Sequence, residues 1–315
     1  MSIGSCDHTI HGQHHHNHWD HSIEPVLEVE PGATVEFETV DASGGQVGPG
    51  STAAVLSTLD FARVNPVTGP LFVKGARPGD VLEVEVLDFG MSNWGWTALI
   101  PGFGLLADHF PDPWLHIWEL VPGGSSANFA DGIEIPLAPF PGTIGVAPAA
   151  PGAHSIVPPD VWGGNLDIRH LTAGTRLYLP VGVEGALFSV GDTHAAQGDG
   201  EVCGTAIESP MRIALRFRVR RDLRLRRPAF ETRAPAPGSS ATRGAFVTTG
   251  IAPDLMEAAR QAIEAMIDHL VSVTRLDAAA AYALCSVAVD LRIHEVVDVP
   301  NWVVGAWLPE GVVAG

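Results

Sequence analysis

Apolar and polar residues alternate with a period of two through much of the first two-thirds of the chain. The clearest stretch is residues 212–220. There Ile213, Leu215, Phe217 and Val219 share one face of an extended strand, and Arg216, Arg218 and Arg220 share the other. Residues 26–37 read as a strand, a Pro31-Gly32 turn and a second strand with Val35 and Phe37 on one face. The same phrase recurs at residues 71–87, around Arg77-Pro78-Gly79-Asp80. It recurs again at residues 171–183, where Ala173-Gly174-Thr175 precedes Leu177, Leu179 and Val181. Three strand–turn–strand units with like turn chemistry predict a β-sandwich or barrel, with an internal duplication left open.

Past a Pro/Ala/Ser-rich stretch at residues 233–242 the period changes to that of a helix. Leu255, Ala259, Ala262, Ile263, Met266, Ile267 and Leu270 form one apolar stripe. Thr274 followed by Asp277 resembles a capping box that opens a second helix running through Leu291. The expected fold is therefore mainly β, sandwich- or barrel-like, with two helices near the C-terminus. It divides into a β-rich catalytic part, residues 1–230, and an α+β part, residues 231–315, packed against it.

Composition narrows the classes. Charged residues are only 17% of the 315, apolar ones 46%, and glycine (35) and proline (25) are frequent. That is a large core with many tight turns, not a disordered chain. A formal charge of −18 disfavours nucleic-acid and anionic-membrane partners and favours neutral or cationic ligands. Eight of the 17 arginines fall between Arg212 and Arg227, and against that negative balance they read as a solvated strand face, or an interface with acidic surface of the same chain, rather than a nucleic-acid stripe. Cys6, Cys203 and Cys285 are widely spaced, as reduced thiols are. Residues 1–6 carry no basic stretch or apolar run, and no segment has the ~20 apolar residues of a membrane span, so a soluble, cytoplasmic protein is expected.

Several covalent chemistries lack their residues. Lys74 is the one lysine, so a serine–lysine amidase or a cysteine–glutamate–lysine nitrilase would have to use it. Gly123-Gly124-Ser125-Ser126 reads as a loop. There is no G-x-S-x-G elbow and no P-loop, and Gly102-Phe103-Gly104 is too short for a dinucleotide site.

The segment that carries chemistry is Gly191-Asp192-Thr193-His194-Ala195-Ala196-Gln197-Gly198-Asp199-Gly200-Glu201. It follows the apolar run of residues 186–190, which reads as a buried strand, and unpaired charge at the end of such a strand is costly. A metal ion or mutual pairing would remove the cost. Asp192 and His194 are two apart, so on a strand they point the same way and can grip one ion. A carboxylate–imidazole set suits Zn²⁺ or a similar divalent ion, which would activate water and polarise an amide carbonyl. Asp199 or Glu201 could then act as general base. Gly163-Gly164-Asn165-Leu166-Asp167 adds Asp167 as a third candidate ligand, with Asn165 and Gln197 as candidate substrate contacts.

Seven of the 14 histidines lie between His8 and His21, and a pair such as His16 and His18 is a credible metal grip. This cluster completes the active site, forms an accessory metal site, or is a solvated polar lead; the sequence leaves the three open.

Residues 37–46, 65–70, 75–80, 100–104 and 142–148, together with the two glycine–acid segments, resemble the acetamidase/formamidase family in order along nearly the whole chain. The resemblance implies hydrolysis of formamide, acetamide or another small amide, lactams included, to acid and ammonia. It implies a β-rich fold, a homo-oligomer and, in some members, a divalent metal. Asn165, Asp167, Asp192, His194, Gln197, Asp199 and Glu201 are the motif positions it marks. Two other classes remain as alternatives. One is a metallo-cupin-type oxygenase, suggested by His16-Asn17-His18 with Glu24 and Gly32; the other is a non-catalytic small-molecule binding β module.

Overall fold

The computed structural model describes residues 4–233 and 244–313; most of the Pro/Ala/Ser-rich stretch at 233–242 lies outside them. Two sheets make the body. The larger has nine strands in the spatial order His8–Ile10, Thr34–Glu38, Met211–Arg220, Val81–Met91, Arg176–Pro180, Ala229–Thr232, Ala245–Ala252, Trp302–Pro309 and Asp290–Glu295. The smaller runs Gly163–Asn165, Phe140–Val146, Phe188–His194, Val67–Val73 and His15–His16, with Leu27–Val29 paired parallel to Val67–Val73. Neither closes into a barrel, and the sandwich is the form taken.

Phe37 and Phe217 from the larger sheet meet Phe188 of the smaller edge-to-face, with ring centroids 5.6 Å and 4.9 Å from Phe188. They sit in one core with Leu71, Val84, Ile144, Leu177 and Leu215, all fully buried. Phe140–Val146 and Phe188–His194 are buried at every position, so both faces of these two strands are covered.

The predicted strand–turn–strand units are not hairpins. Leu27–Val29 and Thr34–Glu38 lie in different sheets, as do Val67–Val73 and Val81–Met91. Each Pro-Gly turn carries the chain across the sandwich, because both strands must bury an apolar face in the same core. The third unit has only its second strand, Arg176–Pro180.

The alternation in Met211–Arg220 holds. Ile213, Leu215 and Phe217 are buried, while Arg216 and Arg218 reach Glu85 and Glu83 of the neighbouring strand at 3.0 and 2.9 Å. Arg220 reaches Glu83 at 2.7 Å. The arginine stripe is thus paired with acids of its own sheet.

Helix α1 (Leu255–Val273) buries Ala258, Ala262, Met266 and Leu270 at four-residue spacing, and Asp254 caps it by accepting from Glu257 N at 2.8 Å. The helix lies so close to Ala245–Ala252 that a Cβ on Gly250 would fall 1.8 Å from Ala258 O. Helix α2 (Ala278–Ala288) starts without a capping box. Thr274 closes α1, its hydroxyl donating to Leu270 O at 2.6 Å, and Asp277 alone caps α2 by accepting from Ala280 N. The helix stops at Ala288, and the residues to Glu295 form an edge strand instead. The boundary expected at 230/231 falls inside the strand Ala229–Thr232, so one sheet runs through both parts.

Candidate active site

At one end of the smaller sheet a cavity of about 240 Å³ opens between an apolar wall and a cluster of acids. Leu59, Phe61, Val64, Trp96, Ile100 and Phe103 supply the wall; Asn65, Asn165, Asp167, Asp192, Glu201, Glu208 and Asp298 face it. Strand geometry places the first pair. Asp192 and His194 project to the same side of Phe188–His194, and His194 Nε2 lies 3.2 Å from Asp192 Oδ1. Thr193 points the other way, sharing a hydrogen bond with Thr39 at 2.8 Å.

Glu208 Oε2 lies 3.0 Å from the same Nε2, and Asp167 Oδ1 is 3.7 Å from Nδ1. Gln197 sits behind the ring: its Oε1 is 2.9 Å from His194 Nδ1 and its amide donates to Asp167 O at 2.8 Å. Asn165 donates to Asp298 Oδ2 at 2.7 Å and accepts from Thr143 and Asn65. Asn65 also donates to Asp192 Oδ2 at 3.2 Å, and the Thr143 hydroxyl lies 3.0 Å from the same oxygen, its one hydrogen shared between Asn165 and Asp192.

Four non-glycine residues of this wall, Asn65, Asp167, Asp192 and Glu201, have φ between 45° and 49°. Left-handed backbone is tolerable for Asn and Asp and unusual for Glu, and its concentration here is the strain typical of a built site. The four residues come from separate segments of the chain and all face the same cavity.

The electrostatics are one-sided. Asp167, Asp192, Glu201, Glu208, Glu295 and Asp298 are all at most 7% exposed, and one imidazole, His194, stands among them. Among the described residues no lysine or arginine pairs with any of the six. Burial pushes the Asp167 carboxyl up to about 6 against the pull of His194, Glu208 up to about 7, and Glu295 up to about 8. Burial also drives Glu201 and Asp298 well above the carboxylate range, reinforced by Asp167. Burial, the largest single effect, raises Asp192 too, but His194 together with Glu208 and Thr143 outweighs it and leaves the carboxyl below its ordinary value. His194 is disfavoured as a cation by burial, yet Glu208 and Asp192 hold its pKa well above 6.5.

Both oxygens of Asp167, one of Glu208 and one of Glu295 are buried without a hydrogen-bond partner among the described residues. Uncompensated buried acids are costly, and protons or a cation would relieve them. Two sets have ligand atoms within 4.8 Å of one another: Asp167–His194–Glu201 and Asp192–His194–Glu208.

The profile of the Acetamidase/Formamidase family matches residues 5–154 and 149–314. The chain belongs to this family. A formamidase of Methylophilus methylotrophus is 29% identical over an alignment of 363 positions, covering 93% of this chain and 88% of its own. The crystal structure of an acetamidase from Bacillus halodurans superposes with a TM-score of 0.87 at 33% identity, over 96% of this chain and 97% of that one. A predicted acetamidase/formamidase from Thermoanaerobacter tengcongensis gives 0.87 at 30% identity, over 96% and 95%.

Of the motif positions, the structure brings Asn165, Asp167, Asp192 and Glu201 to the cavity wall and sets His194 against its acids, with Gln197 bracing His194 from behind rather than lining the cavity. Asp199 stands apart. It is not on the cavity wall, and its Oδ1 is 3.3 Å from His170 Nε2. His16 and His18 do not join the acids either: His16 Nε2 meets Ser189 Oγ at 2.9 Å and Nδ1 meets His18 O at 2.7 Å. Glu24 is exposed, away from any such grip. Glu208, Glu295, Asp298, Asn65 and Thr143 are members that sequence reasoning did not single out as site residues. Glu208 is a lone acid before Ser209-Pro210, and the only signal for Glu295 and Asp298 is acids set among valines.

Proposed function

We propose that the chain hydrolyses small amides to carboxylic acid and ammonia, with a divalent ion, Zn²⁺ by preference, at His194. The observation that carries the reading is the small cavity with an apolar wall opposite five buried acids, four of which, Asp167, Asp192, Glu201 and Glu208, border the one imidazole of His194. Relatives named formamidase and acetamidase support the reaction class. The size suits an acyl group of one or a few carbons, below the range of drug-sized pockets.

The residues fit an ion. Gln197 Oε1 accepts the Nδ1 hydrogen of His194, which leaves Nε2 facing Asp192 and Glu208. Asp192, His194 and Glu208 would hold the ion on that side, and Asp167 offers two unpartnered oxygens across the ring. A bound ion lowers the pKa of a water and polarises an amide carbonyl.

The chain's own groups do the rest. Asn165 has spent one amide hydrogen on Asp298 and can donate the other to the substrate carbonyl. Leu59, Phe61 and Trp96 hold the alkyl part and exclude water. Glu201, whose burial raises its hold on a proton, takes one at its carboxylate and passes it to the departing nitrogen. Asp199, the other acid considered for this task, faces away. A homo-oligomer and a cytoplasmic location belong to the same proposal; light scattering on the purified protein and cell fractionation test them.

The deciding experiment is ammonia release from formamide, acetamide and a small lactam, before and after chelation and with Zn²⁺ added back. Release abolished by chelator and restored by Zn²⁺ supports both halves. Release indifferent to chelator removes the ion, and no release from any of the three removes the amidase.

A further inference from the structure

Behind the active site lies a second cluster of metal-binding residue types. His170, Asp199 and His294 place one ligand atom each within 4.8 Å of one another. His294 is fully buried and His170 is 3% exposed, while Asp199 opens to solvent. All four ring nitrogens of the two histidines are buried without a hydrogen-bond partner among the described residues. Asp199 Oδ1 is 3.3 Å from His170 Nε2, near enough for a charge contact but off the hydrogen-bond direction. Aromatic neighbours pack the rings: Trp307 lies 4.6 Å from His170 and Phe230 5.9 Å from His294, centroid to centroid.

A core histidine packed for bulk alone would still have to bury one N–H and one lone pair. Leaving such groups unmatched costs about 1–3 kcal/mol each. Two adjacent rings in that condition, converging on one carboxylate, call for something that takes a lone pair from each. Burial lowers the proton affinity of both rings, which keeps those lone pairs free.

We propose that His170, Asp199 and His294 form a second ion site, with Zn²⁺ or a related nitrogen-seeking divalent ion held by two imidazoles and one carboxylate. Donor chemistry selects the ion class: imidazole favours Zn²⁺ over Mg²⁺ or Ca²⁺. Arg169 and Arg292 add positive potential at His170, so affinity has to come from the nitrogen donors rather than from net charge. Asp199, as the exposed ligand, is the entry point.

The site's place in the chain gives it a role. Three segments each send one residue to it and another to the acids of the active site. His170 follows Asp167 by three residues, Asp199 precedes Glu201 by two, and His294 adjoins Glu295. The latter two segments are tied by backbone, Gly200 N donating to His294 O at 2.8 Å. An ion here clamps the 167–170, 198–201 and 294–298 segments together and fixes Asp167, Glu201 and Asp298 from behind. It acts on positioning and stability, not on substrate.

The test counts zinc in the full-length protein after equilibration with ZnCl₂ and desalting, together with the zinc-induced rise in Tm. It separates this site from the active-site ion through two single variants. Asp199→Ala, at a solvent-open position, is expected to lose one zinc per chain and most of the Tm rise, with at least a tenfold drop in zinc affinity at the lost site. His194→Ala, which dismantles the active-site cluster, is expected to keep one zinc per chain. Adding His294→Gln to it should remove that zinc. The proposal is overturned if Asp199→Ala retains wild-type zinc content and Tm response. It is equally overturned if a folded His194→Ala chain holds no zinc, whatever the amidase activity of the wild type.

Discussion

A Cβ on Gly142 would lie 2.5 Å from Asp167 Oδ1 and 2.7 Å from His194 Cε1. The glycine is the floor on which the active-site acid and imidazole rest, and the adjacent Asp192 O, at 2.9 Å, closes the third side. Gly142→Ala must therefore push Asp167 or His194 out of place. A displacement of this kind costs on the order of 100-fold in turnover. The expectation is a kcat/KM for formamide down by about that factor in a protein that still folds, checked by steady-state ammonia release beside a melting curve. A variant with wild-type kinetics would show that the Asp167–His194 geometry is irrelevant to the reaction.

Glu201 and Glu208 both border His194, but the proposed roles differ. Glu201→Gln removes the proton carrier and should lower kcat by roughly 100-fold or more while zinc content holds. Glu208→Gln removes one of the two acids at Nε2 and should weaken zinc binding by about 10–100-fold. Zinc stoichiometry measured with kcat distinguishes them. If Glu201→Gln is the variant that sheds zinc, Glu201 is a ligand and the proton is carried elsewhere.

Phe61 stands at the cavity mouth, half exposed at 52%, on the apolar wall opposite the acids. Trp96 is fixed deeper by donating to Asp41 Oδ1 at 3.1 Å, so Phe61 is the wall residue free to be cut back without disturbing the fold. Phe61→Ala should favour longer acyl chains. The ratio of kcat/KM for butyramide over acetamide is expected to rise about tenfold, the usual worth of a methylene or two in an apolar pocket. An unchanged ratio would place the acyl group elsewhere.

Much of this was legible in the sequence wherever one local rule decided the outcome. Asp192 and His194 meet because residues two apart on a strand share a face. Ala262, Met266 and Leu270 of the expected stripe are buried because a helix repeats near four, with Ala258 rather than Ala259 completing the buried row. Residue type alone did not separate Asp199 from Glu201, the two acids offered as general base. Gly200 at φ 97° and Glu201 at φ 46° turn the backbone between them, so the two acids enter different clusters. Arg77-Pro78-Gly79-Asp80 marked a turn correctly but not which sheet the next strand would join, a choice made by the common core. Glu208 meets His194 through an isolated antiparallel bridge, and Glu295 and Asp298 approach Asp167 from the C-terminal part of the chain; no pattern local to them announces it.

His269 offers a pH test far from either cluster. Its ring stacks on Phe246 of the larger sheet, 3.8 Å between centroids and 16° from parallel, where helix α1 meets the strand Ala245–Ala252. Burial pushes its imidazole down to about 4 from the usual 6.5. The folded chain resists a proton that the unfolded chain accepts near 6.5, so this contribution to stability is whole above that pH and is lost as the pH falls through about 4. His269→Phe keeps a stacked ring and removes the titrating group. Its Tm relative to wild type should therefore climb steadily as the buffer is taken from about pH 7.5 to about pH 5. A difference in Tm that stays constant over that window would mean that His269 takes up protons as easily folded as unfolded.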